Sequence, residues 1–282
     1  MSEAPAAIYI RFDDGFLPFA RACLNSLRAN WPHHPRVLAD YHGADADALD
    51  LVASVGAEIA PNTEPPDFVR HLPATRAGAA ALDRLSLWRR VYDGYGTILH
   101  LDADTLILAP LDHLLSRAAP FFVANHESSP EARVFVPGAA GDAELQRKLD
   151  EDGLSWPGGI DDMVNAGVFT VPPAWRSRAE LARLARLAER YGRWLAFGDQ
   201  SLLCLWLRAI GCAPSLDLSA NFQSPMVSHP GVARQLSAVK VLHFTSGRKP
   251  CTDAFATWDR VAPARAELEA LYIQYRDMGL GQ

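Results

Sequence analysis

Lysine is almost missing from this 282-residue chain: three lysines stand against 24 arginines, and the formal net charge is −6. A mildly acidic surface offers no chain-wide attraction for nucleic acid or anionic lipid, so a polyanionic ligand needs a local basic site. The arginine excess reads as coding bias. Cysteine is scarce too: Cys23, Cys204, Cys212 and Cys251 lie 181, 8 and 39 positions apart and form no C-x-x-C pair. That spacing suggests no zinc or redox site and fits a reducing compartment, though the sequence alone leaves two disulfides open. Long apolar runs are absent. The longest, Leu202 to Leu207, falls far short of the ~20 residues that cross a bilayer. Met1 to Ala6 has neither a basic residue nor an apolar core, so it does not read as a secretory signal. Beyond Pro263, Arg265 and Arg276 face Glu267, Glu269 and Asp277, which argues against a basic membrane foot. The expected location is the cytoplasm, with any membrane contact peripheral.

With 49% hydrophobic and 21% charged residues, the composition is that of a soluble globular protein with ample material for a core. The length allows one large α/β unit or two small ones, and no repeat or linker interrupts it. The expectation is therefore a single domain over residues 1–282, with 1–6 disordered and a helix closing the chain within 262–282. Ala7 to Phe12 reads as a buried strand ended by Asp13-Asp14-Gly15, and Leu17, Ala20, Leu24 and Leu27 recur at helical spacing. Arg36 to Asp40, Ala46 to Val55 and Ala57 to Pro61 continue as strand, helix and strand. Such alternation predicts a parallel sheet that binds ligands beyond the carboxyl ends of its strands. Asn62 to Thr75 reads as a loop, Ala79 to Tyr92 as a helix and Thr97 to Leu101 as a very apolar strand. Thr105 to Leu108, Phe121 to Ala124, Val164 to Val171, Ala213 to Leu218 and Val239 to Phe244 read as further strands. Helices are expected at Ser177 to Tyr191, Asp199 to Ile210 and Ala264 to Asp277.

Two segments carry the most chemistry. In I-L-H-L-D-A-D-T-L, residues 98 to 106, an apolar strand delivers Asp102 and Asp104 around the small Ala103. At a strand end a turn can bring both carboxylates to one hard cation, with room over Ala103 for a phosphate. A lone D-x-D is more often a turn former or helix cap; the apolar strand before it is what raises it. The second segment is a strand ending at His243, followed by Thr245-Ser246-Gly247-Arg248-Lys249-Pro250. An imidazole beside a glycine-containing loop with two cations can complete a metal site and hold a diphosphate, although alone it would be an ordinary polar turn. Asn165, Ala166 and Gly167, and the turn at Asp199 and Gln200, could approach a sugar; singly they read as a strand-edge turn and a helix cap.

Taken in order, D-D-G-F (13 to 16), D-R-L-S-L-W (83 to 88), H-L-D-A-D-T-L (100 to 106), D-M-V-N-A-G-V-F (162 to 169), G-D-Q-S-L-L (198 to 203) and V-L-H-F-T-S-G-R-K-P (241 to 250) resemble family 8 glycosyltransferases, the glycogenin-like group. The resemblance spans about residues 7 to 250. It implies an α/β glycosyltransferase-A fold, with a Rossmann-like, mainly parallel sheet flanked by helices. It also implies retaining transfer of a hexose from a nucleoside diphosphate sugar, usually UDP-linked (glucose or galactose), with manganese or else magnesium.

Carried over residue by residue, the resemblance makes Asp102, Asp104 and His243 the metal ligands. Lys249 and the loop at Gly247 would meet the phosphates, Asp14 and Phe16 the nucleoside, and Arg84 would stand where the family has a donor-binding lysine. Ala103, Asn165 and Ala166 would border the donor, with Asp162, Asp199 and Gln200 at the reacting sugar. Ser246 occupies the place of the family's loop glycine, with Gly247 following, and Cys251 that of its tryptophan. Retention can proceed through a covalent intermediate on Asp162 or Asp199, or by same-face attack, the route favoured here. The acceptor, whether saccharide, small molecule, lipid or protein, is left open, with Ser128 to Gly159 and Pro225 to Gln235 the loops expected to hold it. Trp156 could stack on a sugar ring, though a loop aromatic is at least as often packing. Two other readings compete: a non-catalytic sugar-nucleotide-binding module, and a haloacid-dehalogenase-like phosphatase with Asp102 as nucleophile. The latter usually places its acidic motif on the first core strand, whereas here about 95 residues precede it.

Overall fold

Ala7–Asp13 forms β1, and its β-branched and aromatic side chains are buried on both faces because helices cover both sides of the sheet. The computed structural model describes residues 4–61, 66–72, 79–124, 134–136, 138–154, 163–228, 236–245 and 248–279. After β1 come α1 (Leu17–Asn30), β2 (Arg36–His42), α2 (Ala46–Ser54) and a two-residue β3 (Glu58–Ile59). The acidic strand is β4 (Ile98–Asp102), followed by β5 (Thr105–Ile107), α3 (Asp112–Leu115) and β6 (Phe121–Ala124). Then follow α4 (Ala143–Glu151), β7 (Val164–Val171), α5 (Arg178–Tyr191), α6 (Gly198–Ala209), β8 (Phe222–Gln223), β9 (Val241–His243), α7 (Asp253–Ala256) and α8 (Arg265–Arg276).

The main sheet has the order β3-β2-β1-β4-β7-β6. β1 to β4 run parallel, as the alternation of elements predicts, and β7 runs antiparallel to both β4 and β6, giving the mixed, mainly parallel sheet that the family resemblance implies. One face packs Ile8, Ile10, Val37 and Leu99 against Leu24 of α1, Leu51 of α2 and Leu114 of α3. The other packs Tyr9, Ile98 and Phe169 against Leu184 of α5 and Trp206 of α6. A second sheet, β5-β9-β8, hangs from the end of β4. Its register sets Thr105 opposite His243, so the pairing itself carries the imidazole to the end of the acidic strand.

Two segments depart from the sequence expectation. Ala79 to Tyr92 is not an α-helix but 3-10 turns over Ala79–Trp88 and Arg90–Tyr92. Leu85, Ser86, Leu87 and Trp88 are buried in succession, a run that does not follow the one-sided 3.6-residue spacing of an amphipathic helix. Ala213 to Leu218 makes a single parallel bridge, Ser215 to Val123, instead of a strand. Pro214 lacks an N–H for a ladder, and Asp217 caps the 3-10 turn Leu218–Asn221 instead.

At the end of the sheet remote from the acids, one side chain closes the structure. Buried Arg176 donates to the carbonyls of Val171 (3.3 Å), Tyr92 (2.6 Å), Tyr95 (2.7 Å) and Gly96 (2.6 Å). A planar guanidinium suits this task because its five donors fan out in one plane.

Candidate active site and metal centre

β4 ends at Asp102, and a turn through buried Ala103 brings Asp104 beside it. β9 delivers His243 to the same place. One ligand atom each from Asp102, Asp104 and His243 lies within 4.8 Å of the others. His243 Nε2 is 3.2 Å from Asp104 Oδ1 and 3.8 Å from Asp102 Oδ2. Each acid keeps its other oxygen occupied. His100 Nε2 donates to Asp102 Oδ1 at 2.9 Å, and the Lys249 ammonium bonds Asp104 Oδ2 and, at 2.5 Å, the Phe244 carbonyl. The set of two carboxylate oxygens and one imidazole nitrogen suits a hard-to-borderline divalent cation such as manganese.

Close packing fixes this arrangement. Gly167 of β7 lies against the His243 ring, and a Cβ built there would fall 2.0 Å from Cε1. His100 stacks on Phe169 with ring centroids 4.7 Å apart. Burial would raise both acids, but the neighbouring basic side chains and the hydrogen bonds they donate outweigh it. Arg84, His100 and His243 hold Asp102 well below the usual carboxylate range, and Lys249 and His243 lower Asp104. Burial lowers the pKa of His100 despite its acidic partner.

Arg84, from the 3-10 segment, ties three elements together. Its Nε is 2.6 Å from Asp199 Oδ2, and its NH1 donates to the Ala166 carbonyl at 2.5 Å and lies 3.5 Å from Asp102 Oδ1. Asp199 sits buried in the first turn of α6, where desolvation pushes its pKa up to about 6 against the pull of Arg84. Gln200 Oε1 accepts from the Ala166 N–H at 3.1 Å, binding α6 to β7.

The D-D-G-F turn stands at the other side of the acids. Asp14 accepts from the Tyr41 hydroxyl and from the N–H groups of Ala44 (3.3 Å) and Asp45 (3.4 Å), and these bonds lower its pKa. Gly43 packs close to this turn: a Cβ there would fall 2.0 Å from Asp14 Oδ1 and displace that carboxylate. Half-exposed Phe16 lies 6.0 Å from the Lys249 ammonium.

Of the candidate residues, Ala103, Arg84 and Lys249 adjoin the three ligand atoms, Asn165, Ala166, Asp199 and Gln200 are linked to them through Arg84, Asn221 or Ala166, Phe16 reaches Lys249, and Asp14 is bonded instead to Tyr41, Ala44 and Asp45. Asp162, Gly247, Ser246 and Trp156 lie outside the described residues. Sequence reasoning missed His100, Tyr41, Gly43 and Asn221. Only His100 left a signal, as a polar residue inside an otherwise apolar strand. Among the described residues no helix is long and apolar enough to cross a membrane.

No protein-family model matches the chain, and no curated protein matches it in sequence. Solved structures do. An active-site glutamine-to-glutamate mutant of LgtC aligns with TM-score 0.64 and 18% identity over 94% of this chain and 95% of LgtC. The galactosyltransferase LgtC in complex with donor and acceptor sugar analogues aligns equally well. The glycosyltransferase GlyE of Streptococcus pneumoniae TIGR4 aligns with TM-score 0.64 and 15% identity over 98% of this chain and 62% of GlyE. The bifunctional glycosyltransferase WbbM aligns at TM-score 0.60 and 17% identity over 96% of this chain and 52% of that one. The phosphatase alternative asks for Asp102 on the first core strand, and it lies on the fourth. The chain has the glycosyltransferase-A fold.

Proposed function

We propose that the protein is a family 8-like retaining glycosyltransferase that moves a hexose from a UDP-sugar, glucose or galactose, to a hydroxyl acceptor. The observation that carries this reading is the convergence of Asp102, Asp104 and His243 at the carboxyl end of β4, where an open α/β sheet binds its ligands. The fold shared with LgtC, GlyE and WbbM supports it. Asp102, Asp104 and His243 would hold manganese or magnesium, which when bound supplies positive charge to a departing diphosphate.

The chain's own groups account for the rest. Phe16 offers a ring to the base, with Asp14 holding its turn in place. Lys249 places an ammonium for the phosphates. Arg84 fixes the Ala166 carbonyl and Asp199 on the wall where the sugar would lie. Asp199 is buried and paired with Arg84, which supports a positioning role over that of a nucleophile. In same-face attack the acceptor oxygen bonds the anomeric carbon as the carbon–phosphate oxygen bond breaks, and the departing phosphate takes the hydroxyl proton. Asn165 and Gln200 border this space from β7 and α6; a glutamine is also the mutated active-site residue of LgtC.

The test is manganese-dependent release of UDP from a panel of UDP-sugars, with and without saccharide acceptors. Asp104→Ala is expected to lose at least about 100-fold in rate, in line with removal of a group that stabilises the leaving charge. Full activity of that variant refutes the reading.

A further inference from the structure

A histidine binds a metal through a ring nitrogen that carries no proton, and the partner of the other nitrogen decides which one that is. Here the choice is traceable to a backbone group. The N–H of Gly167 can only donate, and it donates to Asn165 Oδ1 at 2.9 Å. The same oxygen accepts from Asn221 Nδ2, also at 2.9 Å. With its nitrogen turned to Asn165, Asn221 must present its oxygen the other way, where Oδ1 meets His243 Nδ1 at 3.1 Å. An amide oxygen only accepts, so Nδ1 carries a proton, and Nε2, facing Asp104 and Asp102, is the nitrogen that a metal would take in place of any proton. All three side chains are buried, so water does not compete for these bonds.

We propose that Asn165 and Asn221 form a polarity relay that fixes the His243 tautomer for metal ligation, making them positioning residues of the metal centre. The inference rests on the reading of Asp102, Asp104 and His243 as metal ligands. Its logic runs opposite to the intrinsic preference of imidazole, which favours the proton on Nε2. His100 shows the complementary state. Its Nε2 meets Asp102 Oδ1, an acceptor, so that nitrogen holds the proton and the ring serves as a donor to a ligand carboxylate. Two ring nitrogens thus hold their protons towards neighbours that only accept: Nδ1 of His243, which leaves Nε2 for a metal, and Nε2 of His100, which holds the acid beside it.

Nitrogen-15 NMR of the metal-free wild-type protein at pH 8 tests the relay directly. His243 is expected to be protonated at Nδ1 and His100 at Nε2; a bare Nδ1 on His243 overturns the proposal. Manganese binding, followed by the EPR signal of free Mn2+ without donor sugar, gives a second readout. Asn221→Leu and Asn165→Leu should each weaken it about 10- to 100-fold. Asn165→Asp keeps an acceptor towards Gly167 and Asn221 and should restore affinity to within roughly threefold of wild type. Wild-type affinity in both folded leucine variants also overturns the relay. A wild-type protein that binds no Mn2+ yet keeps the Nδ1 proton refutes the metal-centre reading instead and leaves the relay standing.

Discussion

Gly167→Ala adds one methyl group at the point where β7 meets His243. The new Cβ would fall 2.0 Å from Cε1, 2.6 Å from Nδ1 and 2.8 Å from Nε2 of the ring, where ordinary contact begins at 3.4 Å. The ring must therefore retreat by about 1.4 Å, or β7 must bend away from β4. Metal–ligand distances tolerate only about ±0.2 Å, so a retreat of that size would take Nε2 out of the proposed coordination sphere and break the bond between Nδ1 and Asn221. The expected loss in Mn2+ affinity is at least about 100-fold, with UDP release falling in parallel. Forcing a methyl group into a packed interior costs about 1–3 kcal/mol, and each kcal/mol is worth roughly 2–4 °C in a domain of this size. The melting temperature should fall by about 2–12 °C. Gly141→Ala is the control, because a Cβ there meets nothing within 4 Å. A Gly167→Ala protein with wild-type Mn2+ affinity and an unchanged melting temperature refutes the account of the site.

Arg176→Leu leaves four carbonyls without their donor, at about 1–3 kcal/mol each before water relieves some of them, so a loss above about 4 kcal/mol is expected by denaturant unfolding. A loss below about 1 kcal/mol shows that the guanidinium is dispensable. Thiol titration at pH 8 should label exposed Cys251 quickly and leave buried Cys23 and Cys204 unlabelled until the protein unfolds; burial pushes the Cys23 thiol up to about 12. Rapid modification of all four native cysteines contradicts the buried placements. Asp199, raised to about 6 by burial, keeps a proton in the folded state that the unfolded chain has already released near pH 4. Its contribution to stability is therefore present below about pH 4 and lost as pH rises to about 6. Asp199→Asn should remove that downward slope, and a variant whose pH 4–6 stability profile matches wild type rules the shift out.

Periodicity located the strands that run as unbroken apolar stretches. Phe121 to Ala124 forms as expected because a strand covered on both faces needs only apolar side chains, and Val164 to Val171 forms too, with Asn165 and Thr170 buried among its apolar residues. The same rule failed at Ala79 to Tyr92, where Leu85 to Trp88 are buried one after another instead of at helical spacing. It failed again at Ala213 to Leu218, where a proline and a capping aspartate outweigh the apolar content. The acids were legible because an apolar strand ending in D-A-D is unusual composition, and the ordered resemblance tied them to His243. Asn221 was invisible, since its role depends on Asn165, 56 positions away, and on a tautomer that no local pattern records.

β5 pairs with β9 only after 141 further residues separate Asp102 from His243. At a synthesis rate of roughly 5–20 residues per second, the nascent chain carries both acids for about 7 to 28 s before the imidazole emerges from the ribosome. Over that interval Thr105 to Ile107 is an unpaired edge, the kind of exposed strand to which chaperones bind and aggregates add. A divalent cation that needs all three proposed ligands would therefore be taken up only after His243 has emerged and β9 has paired with β5.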